Sequence, residues 1–371
     1  MKFYIWAAIA HVRVLSPENN LHRVFDTVFS LFQQNALNFE ITYVIIILIY
    51  LRKVKQFMEF LYFLESLRNP VCDFLFSIIT YLGDEVAFMA VGLIFFWCIS
   101  KYQGYYLLCT GFIGTMINQF LKMLFRIPRP WVKDPNFTIV ESAREAATGY
   151  SFPSGHTQSS VGLFGGIARA NRTLWLRISA IALCVLVPLS RMYLGVHTPA
   201  DVLVSVGVAL ILIFVGYPLF KMAAKSQKAM YIILGALTAI SVAYLCFITF
   251  YQFPAEVYTE ENIHNYESAV KNAYTLLGCM LGFIVVYTVD IKWTKFETDA
   301  IWWVQIIKVV GGLALVLAVK EGAKIPLDAI MPAYANTWAR LIRYFLVAIV
   351  GGVLWPMTFK FWNKLSEKKE A

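Results

Sequence analysis

From residue 58 onward the chain alternates between apolar runs, most of them near the length a tilted membrane helix needs, and short polar or basic interruptions. A mixed amphipathic stretch over 58–83 carries Glu65, Arg68 and Asp73 and ends at Gly83-Asp84-Glu85. Apolar runs follow at 86–100, 104–125, 156–170, 174–190 and 198–220, then at 230–250, 273–290, 301–319 and 338–358. This pattern predicts an all-α, polytopic transmembrane helix bundle: six spans over 58–225 and about four additional spans over 226–371. Residues 1–57 are expected to be an extension, with the working unit beginning near Met58. The run Ile41 to Leu51 is short for a span and is followed by Arg52, Lys53 and Lys55, so it either crosses the membrane or lies at its surface. An echo between Val309-Val-Gly-Gly-Leu313 and Ile349-Val-Gly-Gly-Val353 predicts close helix contacts through small residues.

Composition agrees: 59% of the 371 residues are hydrophobic and 15% charged, far from the soluble globular mix. The net charge of +9 raises nucleic acid as a partner, but the basic residues cluster between apolar runs, where membrane orientation explains them better. Lys101, Arg169/Arg172/Arg177, Lys221/Lys225/Lys228, Lys292/Lys295 and Lys360/Lys364/Lys368/Lys369 fall on alternate connections, which are expected to be cytoplasmic. The other connections, including 126–155, 191–197, the acidic loop with Glu256, Glu260, Glu261 and Glu267, and 320–337, are expected to face outward. The six cysteines lie in apolar stretches and read as small buried hydrophobes. Five histidines without ligand spacing imply no metal, and no cofactor is called for.

Three outward segments carry chemistry. In Gly149-Tyr-Ser-Phe-Pro-Ser-Gly-His156, Pro153, Ser154 and Gly155 make a tight turn onto a small-residue helix whose first amides favour an oxyanion. The plainer alternative is that Ser154 only caps that helix. In Lys122-Met-Leu-Phe-Arg-Ile-Pro-Arg129-Pro130, Lys122 and Arg129 start about two helical turns apart on one face, although both can also be read as snorkelling or interfacial cations. In Ser190-Arg191-Met-Tyr-Leu-Gly-Val-His197-Thr-Pro-Ala-Asp201, Thr198 can cap the next helix with Pro199 at its first position. Asp201 can reach back and hold one nitrogen of His197, leaving the other lone pair to attack; capping alone is again the plainer alternative. Together the segments specify phosphoryl chemistry: Lys122, Arg129 and Arg191 neutralise a phosphate, helix-end amides near Ser154 and Gly155 bind its oxygens, and His156 and His197 flank it.

The three motifs, Lys122-x6-Arg129-Pro130, Pro153-Ser154-Gly155-His156 and Ser190-Arg191-x5-His197-x3-Asp201, resemble the signature of the type 2 phosphatidic acid phosphatase superfamily, which also contains the vanadium haloperoxidases. The wider wording is similar to bacterial members, and the resemblance covers about residues 58–220. It implies metal-independent hydrolysis of a lipid phosphate through a phosphohistidine on His197, with His156 as acid, Asp201 as orienter, and phosphate held by Lys122, Arg129, Ser154, Gly155 and Arg191. The expected protein is thus a multi-pass cell-membrane lipid phosphatase with an extracytoplasmic site. Phosphatidic acid, phosphatidylglycerol phosphate and polyprenyl diphosphate all offer the reacting group. A lipid phosphotransferase using the same phosphohistidine is the second enzyme reading, while the membrane spans argue against a haloperoxidase. A non-catalytic lipid transporter or scaffold is the third, kept open by Lys308 inside one later span and by Lys320, Glu321, Arg340 and Arg343 near the outer ends of two.

Overall fold

The computed structural model describes residues 56–370 apart from Glu261, and side chains as far as residue 364. The expectations for 1–55, including the apolar run 41–51 and its flanking basic residues, lie outside the described residues, as do the side chains of Lys368 and Lys369. Residues 60–371 group as one compact unit.

Local signals set the helices. Asn69 accepts from the amide of Cys72 and Pro70 occupies the first turn, opening α1 (Pro70–Tyr81). Asp84 accepts from the amide of Val86 at 2.8 Å and starts α2 (Glu85–Ile99), bent by 52° from α1. Ser100 caps α3 (Lys101–Phe125), which stops where Arg126 turns left-handed at φ 50°. A helix of small residues, α4 (155–170), carries a wider turn over Val161–Gly165. Then come α5 (Leu174–Tyr193) and α6 (Pro199–Ala223), the latter opened by a Thr198/Asp201 capping box. The remaining helices are α7 (Gln227–Phe250), α8 (Ile263–Val289), α9 (Trp302–Gly322) and α10 (Trp338–Ile349), the last continuing through further helical turns.

Among the described residues, seven helices are long and apolar enough to cross a membrane, and the bent α1–α2 pair makes an eighth candidate. The chain is an all-α, multi-pass membrane protein. The helix α4, expected as a span, is shorter than these at sixteen residues and lies between α3, α5 and α6. With its small side chains it serves as packing at the centre of the first six helices.

α3 and α8 are the interior helices, whereas α5, α6, α7 and α9 leave most of their apolar surface outward. Aromatic edges lock the two interior helices together: Tyr105 against Phe283 and Tyr287, and Phe112 against Phe283. The fully buried Trp97 of α2 donates to the carbonyl of Gly351 at 2.8 Å. Lys101 closes on Asp290 at 2.8 Å at the end opposite the three motif segments. The Gly-Gly echo is a real contact: a Cβ on Gly312 would lie 2.5 Å from Trp355 Nε1 and 2.7 Å from the Trp97 ring. Lys308, the charge inside a later span, is held within the bundle. It is fully buried, donates at 3.2 Å to the carbonyls of Glu297 and Thr298, and faces the Phe359 ring at 4.7 Å.

Helix alternation sorts the charges by end. The starts of α3, α5, α7 and α9 and the ends of α4, α6 and α8 carry the basic clusters, while the ends of α3, α5 and α9 and the starts of α2, α4, α6 and α10 lie at the opposite end.

Candidate active site

All three motif segments meet at that second end. The chain leaves α3 at Phe125, and the amide of Ser151 bonds the carbonyl of Ile127 at 2.8 Å, folding the 126–155 loop back over the helix end. The amide of Ser154 bonds the carbonyl of Asp201 at 3.2 Å, and the Ser205 hydroxyl donates to the carbonyl of Ser154 at 2.9 Å. These bonds join the start of α4 to the start of α6. The amides of Val196 and His197 return to the carbonyl of Arg191 at 3.1 and 3.3 Å, so the third motif curls into a tight loop. Gly195 holds φ 81° in that loop, and a Cβ there would lie 2.7 Å from the Arg68 guanidinium and 3.0 Å from the Thr138 carbonyl, so only glycine fits.

Lys122, Arg129, Ser154, Arg191, His197 and Asp201 are all buried, and Gly155 and His156 are partly so. His156 lies within electrostatic range of Arg191, His197, Arg129 and Lys122. Its backbone packs on Gly83 in the α1–α2 turn, where a Cβ would approach the His156 carbonyl to 2.8 Å.

Arg129 is the hub. It donates to the carbonyls of Gly149 at 3.1 Å, Thr148 at 2.6 Å and Val196 at 3.0 Å, and reaches Nε2 of His197 at 3.0 Å. A guanidinium only donates, so Nε2 bears the lone pair and the ring proton lies on Nδ1. Nδ1 faces Asp201 Oδ2 at 3.5 Å, an ion-pair distance longer than a hydrogen bond. The same oxygen is held by the Ser151 hydroxyl at 2.6 Å and the Thr198 amide at 2.8 Å. Asp201 therefore both caps α6 and faces His197, so the two readings of this residue coexist. Burial, and then the charge of Arg129, push the His197 imidazole well below the ordinary histidine range, against the pull of Asp201.

The other cations differ in how they are held. Lys122 does not snorkel: its ammonium donates to the carbonyl of Tyr150. Arg191 donates to the Thr80 hydroxyl at 2.7 Å, but its Nε and second terminal nitrogen are buried with no hydrogen-bond partner. Asp84 is near enough to interact with it electrostatically. Ser154 accepts from the amide of Thr157 at a long 3.4 Å, the capping role.

Several supporting residues carry no sequence signal. Ser151, Thr80 and Gly83 are ordinary in type and far in sequence from the groups they touch. Arg68 bonds the carbonyl of Tyr193 at 3.0 Å, and the Tyr193 hydroxyl donates to Asp73 at 2.8 Å, steadying the loop that carries His197. Asn118, on α3 about 4 Å from where a Gly155 side chain would begin, has both side-chain polar atoms buried without a partner.

A cluster of three buried cations, two histidines and a carboxylate facing one of them at a helix N-terminus defines a class, and comparison with known proteins agrees. The PAP2 superfamily pattern matches residues 102–225, and the pattern described as the PAP2 superfamily phosphatase transmembrane extension matches residues 274–368. The chain is 31% identical over 160 residues to a probable sphingosine-1-phosphate phosphatase of Dictyostelium discoideum, covering 40% of this chain and 38% of that protein. It is 32% identical over 155 residues to the undecaprenyl-diphosphatase BcrC of Bacillus subtilis (strain 168), covering 40% of this chain and 75% of that protein. The chain belongs to the PAP2 superfamily. No solved structure matches it.

Proposed function

We propose that this protein is a membrane-embedded phosphatase that hydrolyses a lipid phosphomonoester or diphosphate through a phosphohistidine on His197, with the reacting group on the extracytoplasmic side. The observation that carries this reading is a buried cluster of cations with donors left unpaired. Lys122, Arg129 and Arg191 all lie within electrostatic range of His156, and Arg191 holds two buried nitrogens without partners near the His197 imidazole, whose Nε2 lone pair faces Arg129. Unpaired buried donors are expensive, and a phosphate satisfies them.

In this mechanism the phosphate oxygens take the Arg191 donors, the Lys122 ammonium and the first amides of α4 at Gly155 and His156, and draw Arg129 from the imidazole. Nε2 of His197 then attacks phosphorus in line, and the bond to the lipid oxygen breaks. Asp201 steadies the ring proton on Nδ1 as the imidazole takes up charge. His156 gives its proton to the leaving oxygen and recovers one from the water that cleaves the phosphorus–nitrogen bond. The three side-chain cations supply the charge stabilisation for which other phosphoryl-transfer sites use a metal ion.

The relatives named for sphingosine-1-phosphate and for undecaprenyl diphosphate support a lipid substrate with the scissile phosphate at the membrane surface. Lateral entry leaves the tail in the bilayer and avoids a transfer cost of about 0.8 kcal/mol per methylene. The basic clusters at the opposite helix ends support an outward-facing site. Residues 58–225 are the proposed catalytic unit and 226–371 its extension. The test is phosphate release by purified protein from phosphatidic acid, phosphatidylglycerol phosphate and polyprenyl diphosphate. Release that orthovanadate blocks and chelators leave unchanged is expected; release that needs added magnesium, or none from any of the three, contradicts the reading.

A further inference from the structure

A polar cavity of about 370 Å³ opens at the same end of the bundle, between the start of α2 and the extension. Asp84 and Glu85 form one wall, and Lys320, Lys324, Arg340 and Arg343 the other. Its size lies in the range of small-molecule sites, roughly 300–1,000 Å³.

The charges do not close on one another. Glu321, at the rim, pairs with Lys320 at 3.1 Å, and Asp84 spends one carboxylate oxygen on capping α2. Glu85 interacts electrostatically with Arg340 and Lys320, and Glu321 with Arg343 and Lys324. Arg340 has one bond, to the Thr275 hydroxyl at 2.6 Å. Arg343 is buried, with 8% of its surface exposed, and its Nε has no hydrogen-bond partner. Guanidinium donors held in this way fit the oxygens of a phosphate or carboxylate. Met89 lines this cavity and also a narrow apolar gap between α2, α3, α8 and α10.

We propose that this cavity is a second anion site, which takes a phosphate-bearing group other than the reacting one. It is assembled largely from α9, α10 and the turn between them. Asp84 reaches both places, lining this cavity while interacting with Arg191 of the catalytic cluster. The proposal stands apart from the phosphatase reading because it concerns binding.

The experiment uses the full chain carrying His197→Ala, so that bound lipid stays intact. One arm titrates inorganic phosphate by calorimetry; the other counts phosphatidic acid retained in native mass spectra, with phosphatidylcholine as the neutral control. Two anion equivalents per chain are expected, falling to one with Arg343→Gln, while Arg191→Ala removes the other. Lys324→Gln, at an exposed position, is expected to weaken the second equivalent about tenfold and decides the matter if Arg343→Gln does not fold. Loss in the phosphate arm identifies a site for free anions, and loss in the lipid arm alone a headgroup site. Two equivalents kept by every extension variant in both arms, or a single equivalent in the parent that Arg191→Ala removes and Arg343→Gln and Lys324→Gln leave unchanged, would overturn the proposal. The count of bound anions does not depend on whether the wild-type protein releases phosphate.

Discussion

Two neighbours set the state of His197: the Arg129 guanidinium fixes which nitrogen is bare, and Asp201 faces the other. With burial and Arg129 pushing its pKa down, the ring stays neutral below the ordinary histidine value of about 6.5, as the proposed nucleophile requires. In 15N-histidine spectra assigned with His197→Ala, its resonances are expected to remain those of a neutral ring at pH 6; protonation at or above about 6.5 would contradict the geometry. The sign for stability follows. The unfolded chain takes up a proton near pH 6.5 that the folded chain refuses until lower pH, so this residue's burial lowers stability as pH falls through that range. Asp201→Asn keeps the shape but loses the charge that favours the working tautomer. It is expected to lower kcat by about 10²–10⁴ with little change in KM, and a loss confined to KM would mark Asp201 as a capping residue only. The motif spacings in the sequence carry Lys122, Arg129, His156, Arg191, His197 and Asp201. They do not carry Tyr150, Ser151 or Thr80, because a carbonyl or hydroxyl that holds a catalytic group needs no fixed distance along the chain.

At the level of the helix, Thr198-Pro199 marks an observed start as read, whereas the stretch taken as one over 58–83 is divided by the cap at Asn69-Pro70. The break after α3 is legible as well: the apolar run read to residue 125 ends where Arg126 turns left-handed, ahead of the prolines. The role of Lys308 is illegible from its own helix, because its carbonyl partners come from the preceding loop. The Gly-Gly pairs can be read because close helix approach needs small residues in register. Gly312→Leu is expected to destabilise by about 1–3 kcal/mol as the new side chain meets Trp355 and Trp97, lowering the thermal midpoint in detergent. An unchanged midpoint would mean these helices do not pack as described.

Across the whole molecule, the extension and the first six helices share one buried cluster in which Phe96 meets Phe296 and Tyr105 meets Phe283. The pattern of apolar runs announces four later spans but not their partners, because lipid-facing and helix-facing apolar residues look alike in a sequence. Deleting 226–371 strips Lys101 of Asp290 and Trp97 of its Gly351 acceptor. The shortened chain is expected to melt at lower temperature and to retain less than a tenth of the activity; full activity at an unchanged midpoint would make the extension dispensable.

The central claim is tested most directly by trapping the covalent intermediate. Protein mixed briefly with a lipid labelled in its phosphate and quenched in alkaline detergent should carry an acid-labile, base-stable label. His197→Ala should carry none, and His156→Ala should retain it only with a good leaving group. Label that persists at full level in His197→Ala would contradict the account.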